Sequence, residues 1–98
     1  MRVAIITGAS RGLGEALSRR LAAEDWALVI DARGARALDR VAGELAAVTK
    51  VVAIPGDVTD PDHRAALVAA AIELGSLELL VNNAGILGPS PQPPLDAY

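Results

Sequence analysis

Four short apolar runs, Val3 to Thr7, Ala27 to Asp31, Val51 to Ile54 and Leu79 to Asn82, recur along the chain, each separated from the next by one amphipathic stretch. The runs are nearly continuous in aliphatic residues instead of alternating apolar with polar, which predicts strands covered on both faces. Helices are expected between them, at roughly 13 to 24, 35 to 48 and 61 to 74. Leu13, Ala16, Leu17 and Leu21 repeat at helical spacing in the first; Leu38, Val41, Ala42, Leu45 and Val48 make one face of the second. The third opens with Asp60-Pro61, a capping acceptor before a proline at the first helical position, and closes with Gly75; its inward face reads as Leu67, Val68, Ala71 and Ile72. Strict alternation of strand and helix gives an α/β fold, and right-handed crossovers then make a doubly wound parallel sheet with strands in the order 3-2-1-4. Ligands of such sheets bind at the carboxyl ends of the strands, beside the turn that follows the first one.

Composition narrows what can bind there. The 98 residues are 52% hydrophobic and 21% charged, which suits one globular domain or part of one. A net charge of −3, with nine Lys and Arg dispersed along the chain, argues against nucleic acid as a partner. There is no Cys for a disulfide or thiolate, and one His, His63, is too few for a zinc site, so no metal is expected. No apolar stretch is long enough to span a bilayer and no leader precedes the first strand, so the expectation is a cytoplasmic protein without membrane contact. With no Phe, and single residues Trp26 and Tyr98 as the aromatics, the core must come from Ala, Val, Leu and Ile, which favours close packing of helix on sheet. Trp26 is expected as a lid over a helix end. His63 is expected in solvent, on the face of the sheet away from the ligand. Residues 1–88 are read as the domain, and residues 89–98, rich in proline, as a surface loop.

Three stretches carry chemistry. Gly8, Gly12 and Gly14 lie where the first strand turns into the first helix, and such a turn presents backbone N–H groups and a helix N-terminus to an anion. The spacing is neither G-x-G-x-x-G nor a Walker loop, which argues against kinase and ATPase chemistry; taken alone it fits a tight turn as well as a phosphate cradle. The stretches "PGDVTD" (55 to 60) and "LLVNNAG" (79 to 85) end the third and fourth strands, so all three converge on one crevice.

In these motifs the chain resembles the short-chain dehydrogenase/reductase family: Thr7-Gly8-Ala9-Ser10-Arg11-Gly12-Leu13-Gly14, Asp57-Val58 and Asn82-Asn83-Ala84-Gly85 match in order and at family-like separations. The resemblance implies a Rossmann-type sheet. It also implies that Gly8, Ala9, Ser10, Arg11, Gly12, Leu13 and Gly14 wrap a pyrophosphate, that Asp57 accepts from the adenine amino group, and that the Val58 backbone meets the ring edge. Asn83, Ala84 and Gly85 would line the ribose and nicotinamide side, with Asn82 tying the central strands together. The plain alternative for Asp57 is a turn-forming residue after Gly56. Registered on the glycine motif, Ala32 takes the family's usual acidic position and Arg33 the next, with Asp31 one place early and pointing elsewhere. Arg11 occupies the family's second common site for a 2′-phosphate contact. The expectation is therefore NADP(H) over NAD(H), because Arg can grip a phosphate bidentately where an acid would repel it. The plain alternative for both arginines is a solvated surface charge.

The family's Tyr-x-x-x-Lys pair, its Ser and an additional Asn lie well downstream of the N-N-A-G stretch. The only tyrosine here is Tyr98 and the only lysine is Lys50, so no catalytic residue is assigned. The chain is thus expected to be the nucleotide-binding half of an NAD(P)-dependent short-chain oxidoreductase acting on an alcohol/carbonyl pair, truncated after about four strands, as the resemblance implies. Alone it is not expected to turn over. A small-molecule substrate of unknown identity and a homo-oligomeric state are implied for the full-length protein. The competing reading is a dinucleotide-binding or partner-capping module without catalysis. An epimerase or dehydratase of the extended branch is disfavoured, because that branch shows T-G-x-x-G-x-x-G where this chain ends in Gly12-x-Gly14.

Overall fold

In the computed structural model, which describes residues 1–83, strand and helix alternate as β1 (Arg2–Ile6), α1 (Gly12–Ala23), β2 (Ala27–Ile30), α2 (Ala35–Ala46), β3 (Val51–Ala53), α3 (Pro61–Leu74) and β4 (Ser76–Val81). All pairings are parallel and the strand order is β3-β2-β1-β4, the doubly wound arrangement expected from the alternation. β1 runs in register with β2 from Val3↔Ala27 to Ile6↔Ile30, while its pairing with β4 slips by one residue between Val3 and Ala4. β4 begins at Ser76, three residues ahead of the apolar run that marks it in the sequence. The proline-rich stretch at 89–98 lies outside the described residues.

The pleat divides the apolar residues between two cores. Ala4, Ile6, Leu28 and Ile30 face α1 and α2, where they meet Ala22, Leu38, Val41 and Leu45. Val3, Ile5, Ala27 and Val29 face the other side, under Leu67 and Ala71 of α3. β1 and β2 are buried on both faces, which is why their sequences show no polar alternation.

Three helix faces differ from those expected. α1 buries Gly14, Ser18 and Ala22, with Leu17 and Leu21 flanking, while Leu13 and Ala16 are exposed. These small residues at i, i+4, i+8 bring the helix axis close to the sheet, and the Ser18 hydroxyl stays satisfied by donating to the Gly14 carbonyl at 2.8 Å. α2 ends at Ala46, so Val48 falls past the helix and is exposed. On α3, Leu67 and Ala71 point inward as expected, but Val68 and Ile72 face out and His63 takes the inward position one turn earlier. The expected cap is present: the Asp60 side chain accepts the Asp62 N–H at 2.9 Å.

Trp26 packs over the end of α1, its backbone N–H donating to the Leu21 carbonyl at 3.0 Å, with the Arg2 guanidinium 4.5 Å above its ring. Among the described residues no helix is long and apolar enough to cross a membrane.

Candidate nucleotide site

The turn from β1 to α1 is built around positive φ. Gly8 (φ 63°) and Gly12 (φ 62°) both sit in the left-handed region that favours glycine. Gly14 is needed for a different reason: a Cβ there would fall on the Gly8 carbonyl and 2.7 Å from Asn83 Nδ2. The turn is then tied down from three sides. The Thr7 N–H donates to the Val81 carbonyl at 3.0 Å and the Ala9 N–H to the Asp31 carbonyl at 2.8 Å. Asn83 donates its backbone N–H to the Thr7 hydroxyl at 2.8 Å and its amide Nδ2 to the Gly8 carbonyl at 3.4 Å. Asn82 Oδ1 lies 3.3 Å from the same hydroxyl, which joins the ends of β1 and β4. The amides of Gly12, Leu13 and Gly14 open α1 and so have no intrahelical acceptor, leaving donors at the positive end of the helix dipole.

Above this turn lies a cleft of about 760 Å³. Gly8, Ser10, Arg11, Gly12 and Leu13 form one wall, and Ala32, Arg33 and Gly34 at the end of β2 form the other, with Asn83 between them. Ala37 and Arg40 of α2 complete the wall. Arg40 belongs to no motif and was not legible as a site residue, because on a helical wheel it lies among the charges off the apolar face of α2. Arg40 is steered by Glu15 at 3.9 Å and Glu44 at 3.7 Å. Arg33 pairs with Asp57, Nη2 to Oδ2 at 3.4 Å.

Asp57 uses its two oxygens separately. Oδ1 accepts the Thr59 N–H at 2.9 Å and the Thr59 hydroxyl at 2.8 Å, which is a turn of the Asx kind, while Oδ2 faces Arg33. The Thr59 backbone bond, then its hydroxyl bond and the Arg33 charge, hold this carboxyl below the usual aspartate range. The turn-forming reading of Asp57 is thus present in the structure, and its second carboxylate oxygen faces an arginine that lines the cleft.

Not every expected site residue faces the cleft. Ala9 is fully buried in the core below the turn, where its N–H is spent on Asp31. Val58 lines a separate hollow of about 270 Å³ on the α3 side, with Ile5, Leu67, Val68 and Leu80, and its carbonyl accepts from Arg64 at 2.6 Å. Ala84 and Gly85 lie outside the described residues. Ala32 both lines the cleft and packs in the α1/α2 core, whereas Asp31 turns to the opposite face.

His63 corrects the expectation of a solvated side chain. It lies on the expected face of the sheet but is only 8% exposed, with Nε2 2.7 Å from Asp31 Oδ2. The ring fits because residue 56 is glycine; a Cβ there would fall on the imidazole. No sequence periodicity could reveal this pair, since its members lie 32 residues apart on different elements.

The family model for short chain dehydrogenase matches residues 2–97. The chain belongs to the short-chain dehydrogenase/reductase family. It is 43% identical over 94 residues to the 1-deoxy-11-beta-hydroxypentalenate dehydrogenase of Streptomyces arenae, covering 94% of this chain and 33% of that protein. It is 46% identical over 91 residues to the cis-4-hydroxycyclohexanecarboxylate dehydrogenase of Sinomonas cyclohexanicum, covering 90% and 36%. Among solved structures it resembles the actinorhodin polyketide ketoreductase with NADPH, with a TM-score of 0.79 and 37% identity over 89% of this chain and 34% of that one. A short-chain dehydrogenase/reductase of Burkholderia phymatum in complex with NAD superposes with a TM-score of 0.76 at 36% identity, covering 81% and 29%. The chain thus spans about a third of the length of these relatives and corresponds to the amino-terminal cofactor-binding region of a short-chain oxidoreductase.

Proposed function

We propose that the cleft holds a nicotinamide dinucleotide and prefers NADP(H) to NAD(H). The observation that carries the preference is the end of β2. Ala32 stands where an acid would meet a ribose 2′-hydroxyl, the Asp31 carboxylate is turned to the far side of the sheet, and Arg11, Arg33 and Arg40 line the cleft. The residues present fit such a group. Gly14 keeps the turn clear of a Cβ, the first amides of α1 offer donors for a pyrophosphate, and the arginines offer bidentate donors for a further phosphate.

In this reading Ser10 to Gly14 hold the pyrophosphate and Gly8 shapes the turn. Arg33, released from Asp57, swings onto the 2′-phosphate, leaving Asp57 Oδ2 free to accept from the adenine amino group. Asn83, with Ala84 and Gly85 beyond it, borders the ribose and nicotinamide side, and residues 1–88 act as one dinucleotide-binding unit. The dinucleotide, when bound, supplies hydride transfer. For the whole protein we propose oxidation or reduction of an alcohol/carbonyl pair on a small molecule, in a homo-oligomer.

Calorimetric titration of the protein with NADPH and with NADH tests the preference. NADPH is expected to bind at least about tenfold more tightly, and Arg33→Ala to remove most of that difference, as charge-assisted contacts of this kind allow. Equal affinities, or an NADPH preference that Arg33→Ala leaves intact, would overturn the assignment.

A further inference from the structure

We infer that the buried Asp31–His63 pair is a positioning device for the dinucleotide site, acting on the glycine turn through the Gly8 amide. This rests on the reading of the cleft as a dinucleotide site. Asp31 is 1% exposed at the end of β2 and projects toward α3. Its Oδ1 accepts the Gly8 N–H at 2.8 Å and its Oδ2 lies 2.7 Å from His63 Nε2. With Oδ1 accepting from Gly8, Oδ2 is assigned as the acceptor and the His63 Nε2–H as the donor. Among the described residues no fully buried side-chain oxygen or nitrogen is left unpartnered, and both Asp31 carboxylate oxygens are engaged.

The arrangement joins three segments that reach the cleft from different directions. The glycine turn contributes Gly8, the end of β2 contributes Asp31, and the stretch after β3 contributes Gly56, whose missing side chain makes the slot for the imidazole. Asp31 holds two consecutive turn residues, Gly8 through its carboxylate and Ala9 through its carbonyl. Both amides therefore point down into the sheet, and the turn is fixed with Gly8 at φ 63°. What remains for an anion above is the set of amides that open α1. His63 does not border the cleft; it fixes the rotamer of Asp31, which fixes Gly8. A low-dielectric interior makes such a chain strong when complete and costly when one member is lost.

The test uses the protein expressed from its own gene, with three readouts: NADPH affinity by calorimetry, thermal midpoint, and the through-hydrogen-bond coupling between the Gly8 amide nitrogen and the Asp31 carboxyl carbon by NMR. His63→Leu is expected to weaken NADPH binding about tenfold and to abolish the coupling, whereas His63→Gln, which returns a donor near the Nε2 position, recovers both to within about threefold of the original affinity. Replacing both partners, Asp31→Val with His63→Leu, removes the orphaned carboxylate and so is expected to recover the thermal midpoint relative to His63→Leu. Affinity is expected to stay low, because Gly8 has lost its acceptor. A purely structural pair would recover affinity along with stability, and that result would overturn the inference. So would absence of the Gly8–Asp31 coupling in the unaltered protein, or unchanged NADPH affinity in His63→Leu. Failure of the unaltered protein to bind either dinucleotide while the coupling is present would instead overturn the reading of the cleft, and this inference with it.

Discussion

Asp57 shows how one carboxylate divides its two oxygens between a turn and an arginine. Its Oδ1 closes the turn on Thr59 and its Oδ2 faces Arg33, and these partners hold the carboxyl below the ordinary aspartate range in the folded state. A depressed folded-state pKa means that the stabilisation is complete above the unfolded-state value and is lost as pH falls through the folded-state one. The Asp57 side-chain carboxyl carbon, followed by NMR through an acid titration, is therefore expected to show a midpoint below that of an ordinary aspartate. Thr59→Val, which removes only the hydroxyl bond, should raise the midpoint part of the way back. A midpoint at or above the ordinary value would contradict the geometry. The sequence showed this residue clearly, because an Asp two places before a Thr, after Pro and Gly, signals a turn by local chemistry alone. Asp31 and His63 were not legible in the same way. Their environment is set by β2, α3 and Gly56 meeting in space, and His63 near a helix start reads by default as an exposed polar residue.

At the scale of the element, legibility followed the strength of the pattern. The second helix has a clean apolar stripe, and its Leu38, Val41 and Leu45 are the residues that the sheet buries. The third is apolar nearly all round from Ala65 to Leu74, so its sequence could not say which face turns inward, and the expectation of Val68 and Ile72 inside was wrong. In the first helix the leucines drew attention, and Leu17 and Leu21 do pack against the core, but the fully buried positions are the small residues Gly14, Ser18 and Ala22. The boundary of the second helix yields a direct test. Leu45→Ala should lower stability by about 2–5 kcal/mol in urea denaturation, since it empties a fully packed position, whereas Val48→Ala, past the helix end, should change it by no more than about 0.5 kcal/mol. Equal losses at the two positions would mean that Val48 belongs to the buried stripe after all.

For the molecule as a whole, the fold was readable because continuous apolar strands and single helical crossovers leave few arrangements open, and the strand order places the switch point beside the glycine turn. Among the described residues β4 is an edge strand, and Leu77 and Leu80 on it, with Val68 and Ile72 of α3, present exposed apolar surface on the face opposite α1 and α2. The cleft and the smaller hollow under Val58 and Leu80 therefore offer two different surfaces to a ligand, one rich in arginine and helix amides and one apolar. In the function proposed above, a nicotinamide dinucleotide takes the first. The most direct test is titration of the isotope-labelled protein with NADPH, followed by amide resonances in a two-dimensional nitrogen–proton spectrum. The largest shifts are expected at Ser10 to Gly14, at Ala32 to Gly34 and at Asn83; shifts confined to Val58, Leu67, Val68 and Leu80, or none at saturating NADPH, would contradict it.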